Sequence, residues 1–477
     1  MVFSSPIFLF LFLPVTLLLT YLTHKYNFRN LVLLILSIFF YVFGEGELIL
    51  LMMGSIVLNF FIGQWVGSAK TKIPIVVGIT INILVLIIYK YLSFIIGSLN
   101  DVFILFGSFQ IKQVNVKLPA GISFYTFHIL SYLIDVSRKQ FKPQKSFVDL
   151  ALYICLFPQL IAGPIVRYKD VAKQIMGRTL TSDLFRAGIE RFIIGLGKKM
   201  IIANTLATAA DTAFGCNPQD LTAPAAWFGI LCYTLQLYFD FSAYSDMAIG
   251  LGKMLGFNFL ENFRFPYKST SIREFWQRWH ISLSNWFRDY LYIPLGGNKK
   301  SNFRTYLNLY IVFFLTGLWH GASWNFVIWG LAHGTLMVIE RLGFGRILEK
   351  LPRIVQHFYM LSSVILLWVF FRADHLSGAM GFVQTMFGKW NTGTYTLAML
   401  TDTEIVAIFI IGVIMSVNGF NWLLKKMYKF SILYSVNGPL INSVFRFNRV
   451  AFLLMILIYS GMIMATGSYN PFIYFRF

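Results

Sequence analysis

Two apolar runs, Tyr306–Thr316 and Phe326–Ile339, contain no Asp, Glu, Lys or Arg, and the short segment between them reads Leu318-Trp319-His320-Gly321-Ala322-Ser323-Trp324. Runs of this kind recur along most of the chain. In lipid each must satisfy its backbone N–H and C=O groups internally, which makes it a helix. Composition agrees: 57% of residues are apolar, only 13% are charged and the mean hydropathy is +0.66, whereas a soluble domain carries about 25% charged residues. The expectation is an all-α, polytopic membrane protein folded as one large helical bundle.

The formal charge of +20 is expected to lie in cytoplasmic loops facing anionic lipid headgroups rather than to serve nucleic acid. Cys155, Cys216 and Cys232 fall in or beside apolar segments. Their spacing suggests neither a disulfide framework nor a metal site. The first apolar segment, Ile7–Leu19, lacks a basic leader and a cleavage site, so it is expected to be retained as a span.

Basic residues orient the chain. Met1–Pro6 is uncharged, and His24, Lys25 and Arg29 follow the first span, which places the N-terminus outside. Spans are predicted near 7–22, 30–44, 47–64 and 74–91, with 93–118 as an outer loop, then 119–137. Further spans are predicted at 191–214, 223–250, 306–320, 324–340, 355–371, 403–424 and 450–466, with an outer loop at 373–402. The sum is about 12 spans with both termini outside. The stretch 148–166 is broken by Phe157-Pro158 and Gly163-Pro164, and 275–297 is too polar to face lipid. Both are predicted to be re-entrant segments whose broken backbone is buried in protein or lines a cavity.

The arms around His320 hold about 15–17 residues each, or about 22–26 Å of helix against about 30 Å of hydrocarbon. His320 therefore belongs at some depth, where an ionisable group is by default functional. Imidazole titrates near neutrality and suits proton transfer; the alternative is a structural histidine bonded to a carbonyl. His280 lies upstream in Arg278-Trp279-His280-Ile281-Ser282, while His24, His357 and His375 fall at loop or span ends, where solvation is the expected state. Asp240, Ser242, Tyr244, Ser245 and Asp246 need partners if buried. Pairing with Arg264, Arg273 or Arg288 is favoured over catalysis. Glu274 and Arg278 are placed to orient His280. The basic run Arg186–Lys199 is read as cytoplasmic anchoring, with attraction of an acidic donor as the alternative.

The segment Phe275-Trp276-Gln277-Arg278-Trp279-His280-Ile281-Ser282-Leu283-Ser284-Asn285-Trp286-Phe287-Arg288-Asp289-Tyr290-Leu291-Tyr292-Ile293-Pro294-Leu295-Gly296-Gly297, followed by Thr316-Gly317-Leu318-Trp319-His320-Gly321, resembles the membrane-bound O-acyltransferases. Gly121-Ile122-Ser123-Phe124-Tyr125-Thr126-Phe127 and Asp240–Asp246 extend the likeness, which is strongest to the bacterial branch that acylates envelope polysaccharides such as alginate or peptidoglycan. The resemblance implies a cytoplasmic acyl thioester, such as acetyl-CoA, as donor substrate; the sequence contains no Gly-rich phosphate loop or metal-ligand cluster, so no bound cofactor or metal is expected. The resemblance makes His320 the catalytic histidine and His280 its support. A tetrahedral oxyanion would need donors, and Asn285, Trp279 or Ser282 are the candidates, with Arg278 and Trp319 as supporting neighbours.

The ending Asn470-Pro471-Phe472-Ile473-Tyr474-Phe475-Arg476-Phe477 resembles the acyl-transfer tail of a small single-span protein that accompanies the teichoic acid D-alanylation relative. The chain then divides into a core at 1–449 and a final span with tail at 450–477. Tyr474 would carry the acyl group to an extracytoplasmic acyltransferase partner, unless the tail is merely an aromatic anchor. D-alanyl transfer from a carrier protein is the alternative enzyme, and a polysaccharide exporter the alternative outside enzymology. The topology is testable: a cysteine placed at Gly388 should react with an impermeant thiol reagent on intact cells, and one at Phe344 only after permeabilisation. The opposite pattern inverts the topology.

Overall fold

The computed structural model describes residues 2–23, 25–107, 109–388, 393–419 and 438–467, and among them it contains helices and no strand. An N-terminal group comprises α1 (Leu13–Leu22), α2 (Tyr26–Glu45), α3 (Ile49–Ser68), α4 (Ile73–Leu86), α5 (Leu92–Leu105) and α6 (Ile122–Ser137). The short α7 (Phe147–Cys155), α8 (Phe157–Leu160) and α9 (Tyr168–Met176) follow. Next come α10 (Ser182–Gly197), α11 (Asn204–Gly215) and α12 (Ala223–Met254), then the short α13 (Ile272–Arg278) and α14 (Ile281–Phe287). The hairpin α15 (Asn302–His320) and α16 (Trp324–Ile339) precedes α17 (Gly345–Leu348), α18 (Arg353–Arg372), α19 (Leu376–Gly388), α20 (Leu397–Leu400), α21 (Thr403–Ser416) and α22 (Gly438–Ala465). Tyr474 and its flanking residues lie outside the described residues.

Among the described residues, five helical stretches are long and apolar enough to cross a membrane: Asn27–Ser68, Ile73–Leu105, Ser182–Gly215, Arg353–Arg372 and Arg446–Ala465. The first is 42 residues long and would reach about 63 Å if straight. Gly46, at φ +58°, breaks it into α2 and α3, matching the two spans expected there. Two expectations need correction. Residues 92–105 form α5, continuous with α4 through a π-helical turn at Ile87–Tyr91, so 93–118 is not simply a loop; no Pro or Gly interrupts Ile87–Ile96. The loop expected at 373–402 contains α19, whose Ala379, Phe382 and Met386 recur at helical spacing and are buried. Trp227 Nε1 donates to the Met386 carbonyl at 2.9 Å, which fastens α19 to α12.

The two segments expected to have broken backbone do so. After α7 the chain turns at Leu156 and re-forms as α8, with Phe157, Pro158, Gln159 and Leu160 all buried. Between α13 and α14 the break falls at Trp279 and His280. Apolar side chains gather into two cores. One joins parts of α2, α3 and α6 to α9 with α14 and Trp319; the other joins α11 and α12 to Trp279, Trp329, Trp368 and Phe371. The helix α12 contributes to both, with Tyr233 and Leu237 in the second and Tyr244 and Met247 in the first.

Glycines let α15 and α16 touch along their backbones. A Cβ on Gly330 would stand 2.3 Å from the Phe313 carbonyl oxygen and 3.0 Å from Gly317 Cα. Small residues at such crossings bring helices into close van der Waals contact. Gly330→Ala should therefore cost about 1–3 kcal/mol by overpacking and lower the melting temperature of the detergent-solubilised protein by several degrees. Gly54→Ala, whose Cβ meets nothing within 4 Å, is the neutral control. Equal melting temperatures would show that the hairpin tolerates separation.

Candidate active site

His320 is the last residue of α15 and is buried, 4% exposed. Three aromatic rings surround its imidazole: Trp319 at 4.9 Å, Trp329 at 5.1 Å and Phe371 at 5.1 Å between centroids. Trp319 belongs to the first core, and Trp329 and Phe371 to the second. The histidine thus stands on the seam between them.

His280 is fully buried, with its ring centroid 6.4 Å from that of His320. Its backbone is left-handed, φ +42°, an uncommon state for a non-glycine residue that persists only where its surroundings enforce it. Asn262 supplies the enforcement. Its backbone carbonyl accepts from Ile281 N at 3.0 Å. Its side-chain oxygen accepts from Ser282 N at 3.2 Å and from Ser282 Oγ at 2.8 Å, and lies 3.1 Å from His280 Nδ1. A backbone N–H can only donate, so that Asn262 atom is the oxygen and Nδ1 carries the proton. Nε2 then holds a lone pair and, among the described residues, has no hydrogen-bond partner. Asn262 Nδ2 in turn donates to Ser245 Oγ at 3.1 Å, which ties the histidine to α12.

A cavity of about 150 Å³ opens beside His320, lined by Glu45, Lys90, Pro119, Gly121, Ser123 and Trp319 among others. Gly121, at φ +75°, precedes α6 where a Cβ would lie 2.5 Å from the Leu160 carbonyl oxygen, so glycine fits this wall closely. Lys90 Nζ donates to the Trp319 carbonyl and, at 3.1 Å, to Ser123 Oγ. Tyr91 OH donates to the Leu318 carbonyl at 2.9 Å. Two carbonyls left open at the end of α15 are thereby held by consecutive side chains of the π-helical turn.

The four sequence motifs converge here. Phe124 and Phe127 pack on Trp319, and Phe241 packs edge-on against His280 at 4.6 Å. Of the expected oxyanion donors, Ser282 Oγ is committed to Asn262, and Trp279 packs among Phe263, Phe275 and Trp368. Asn285 and Trp279 do not line the cavity. Arg278 pairs with Glu274 and donates to the Arg264 carbonyl, so Asn262, not Arg278 or Glu274, orients His280. Asp240 pairs with Lys199, and Asp246 with Arg191 and Lys198. The partners therefore come from the basic run 186–199 rather than from Arg264, Arg273 or Arg288, because α10 and its π-helical extension lie against α12. His357 is partly exposed, with Nδ1 3.0 Å from the Ser269 carbonyl.

The sequence reading did not single out Lys90, Asn262, His128 or His333, although His128 and His333 are fully buried. Lys90 had a signal: it is the only charged residue between Lys72 and Asp101. It falls at the end of the span predicted near 74–91.

The profile of the membrane-bound O-acyltransferase family matches residues 124–376. The chain is 41% identical over 493 aligned residues to a probable alginate O-acetylase, AlgI, of Pseudomonas putida, with 100% of both chains covered. It belongs to the membrane-bound O-acyltransferase family. A peptidoglycan O-acetyltransferase of Helicobacter pylori is 35% identical over 81% of this chain and 80% of that protein. A teichoic acid D-alanyltransferase of Bacillus subtilis is 32% identical over 46% of this chain and 57% of its own length. This membrane-bound O-acyltransferase is thus an acyl-transfer enzyme of a bacterial membrane, and both histidines fall within the matched region.

Asn262 provides a direct test of the histidine geometry. Asn262→Asp keeps an oxygen facing His280 and Ser282, whereas Asn262→Leu removes it. Leaving those buried donors unmet should cost about 1–3 kcal/mol. Acyl transfer in membranes is expected to fall much further for Leu than for Asp, and equal activities would mean that the His280 tautomer is immaterial.

Proposed function

We propose that this chain carries an acetyl group from a cytoplasmic thioester, acetyl-CoA, across the cytoplasmic membrane for O-acetylation of an extracytoplasmic polysaccharide. The observation that carries this reading is the buried pair His320 and His280, with His320 lining a cavity to which Glu45, Lys90 and Ser123 also contribute. The full-length match to the alginate O-acetylase, against a match over less than half of this chain to the D-alanyltransferase, favours acetyl over D-alanyl. The clustering of His280 and His320 at two motifs, rather than repeated half-helices in two matching halves, favours an enzyme over an exporter. The polymer class is alginate, peptidoglycan or a similar glycan.

With about 12 spans and both termini outside, Glu45 and Pro119–Gly121 belong to the outer side, so the cavity receives the acceptor while the donor arrives from the cytoplasm. His320 takes the proton from the acceptor hydroxyl as oxygen attacks the thioester carbon, then returns it to the departing thiolate. His280, with its proton fixed on Nδ1, presents Nε2 within the same aromatic enclosure and supports His320. The first acceptor is the phenol of Tyr474 on the tail 450–477. A phenyl ester, formed from a phenol of pKa about 10, retains enough transfer potential to acylate a sugar hydroxyl. An extracytoplasmic acyltransferase partner completes the second transfer.

Loss of a general base removes about 10²–10⁴ in rate, so His320→Ala should abolish polymer acetylation while the protein accumulates in membranes at wild-type level. His280→Ala is expected to leave residual activity. Tyr474→Phe should also reduce polymer acetylation to background, and mass spectrometry should find an acetyl adduct on Tyr474 that disappears in His320→Ala. Full acetylation in His320→Ala refutes the base, and in Tyr474→Phe it refutes the relay alone.

A further inference from the structure

Lys90 is a partly buried lysine beside the reacting histidine, and its surroundings satisfy only part of it. An ammonium has three N–H donors. One goes to the Trp319 carbonyl and one to Ser123 Oγ; the third has no hydrogen-bond partner among the described residues. Lys90 and His320 line the same cavity. No carboxylate lies within ion-pair distance of Lys90 among the described residues. A lysine in the middle of an apolar helical stretch, Ile73–Leu105, with no carboxylate at ion-pair distance is costly and points to function. It also occupies a π-helical turn, Ile87–Tyr91, an irregularity that recurs at functional sites.

Acyl transfer needs what this ammonium supplies. When a hydroxyl attacks a thioester, the carbonyl oxygen becomes an oxyanion, and a donor already aimed at it accelerates the step. The Ser282 hydroxyl is committed to Asn262, and the N–H of Gly321, next after His320, donates to the Gly317 carbonyl. The orientation of Lys90 is fixed from two sides: α6 provides Ser123, and α15 provides the carbonyl of the residue just before His320. Its charge is therefore placed before the reaction begins.

We propose that Lys90 is a catalytic residue that donates its third N–H to the carbonyl oxygen of the acyl group and stabilises the tetrahedral oxyanion. The proposal rests on the assignment of acyl transfer to the His320 site. The acceptor oxygen forms a bond to the acyl carbon while its proton passes to His320. The carbonyl π electrons move onto oxygen, facing the ammonium. They then return as the C–S bond breaks, and the thiolate takes the proton from His320. Lys90 stays protonated throughout.

The test uses the purified full-length protein in lipid nanodiscs with acetyl-CoA, following thiol release. Lys90→Gln keeps donors for both Trp319 and Ser123 but removes the charge, whereas Lys90→Arg keeps the charge. Loss of an oxyanion donor lowers kcat by about 10²–10³. Lys90→Gln should show that fall, with KM within about threefold of wild type and an unchanged melting temperature, and Lys90→Arg should recover part of kcat. Wild-type kcat in Lys90→Gln would make the lysine a tether for α15 and overturn the proposal. If Lys90→Gln does not fold, Lys90→Met is read in the same way. His320→Ala measured alongside separates the two ideas. An inactive His320→Ala with an active Lys90→Gln overturns the lysine alone; the reverse overturns the base alone and supports the lysine.

Discussion

Lys199 and Asp240 stand 2.7 Å apart with side chains only 3% exposed, and much of the molecule is arranged around pairs of this kind. Neither charge is tolerated among apolar atoms without the other, and removing one partner of a buried pair costs about 3–5 kcal/mol. Six residues further along α12, Asp246 binds Arg191 and Lys198, and Arg191 reaches on to Glu261. Near the start of α12, Arg372 pairs with Asp211 and lies over the rings of Phe214 and Tyr233. These bonds hold α10, its π-helical extension and α18 against α12.

The fixed position of α12 is what the histidine site builds on. Ser245 of α12 receives Asn262, Asn262 receives His280 and Ser282, and Ser282 Oγ accepts from Ile165 N of the broken segment at 2.9 Å. A strained backbone at His280 is sustained because four bonds converge around it. His320 is positioned from other directions, by the glycine crossing between α15 and α16 and by the Lys90 and Tyr91 bonds to the end of α15. The two imidazoles come from separate elements, and their relation is a property of the packing between two cores.

Much of this was legible in the chain. His320 stood out because a titratable group between two uncharged runs is expensive, and Pro158 and Pro164 marked broken backbone that the structure encloses in protein. Lys90 obeys the same rule as His320. It was missed because a lysine near the end of an apolar run looks like an interfacial anchor, and only the continuation of α4 into α5 shows otherwise. Asn262 offered no signal at all: it lies in an irregular stretch, and a neutral amide carries no marker of burial.

The sequence by itself determined that the chain is a helical membrane protein, that its backbone breaks near Pro158 and Trp279, and that His320 is buried, because these follow from the local cost of placing polar groups in an apolar medium. Pairing was decided only by the tertiary structure. Which base meets Asp240, which oxygen orients His280 and which cation faces the cavity beside His320 depend on contacts between residues up to 229 positions apart, as between Lys90 and Trp319. Such contacts are set by the close packing of whole helices, and no local pattern of residues encodes them.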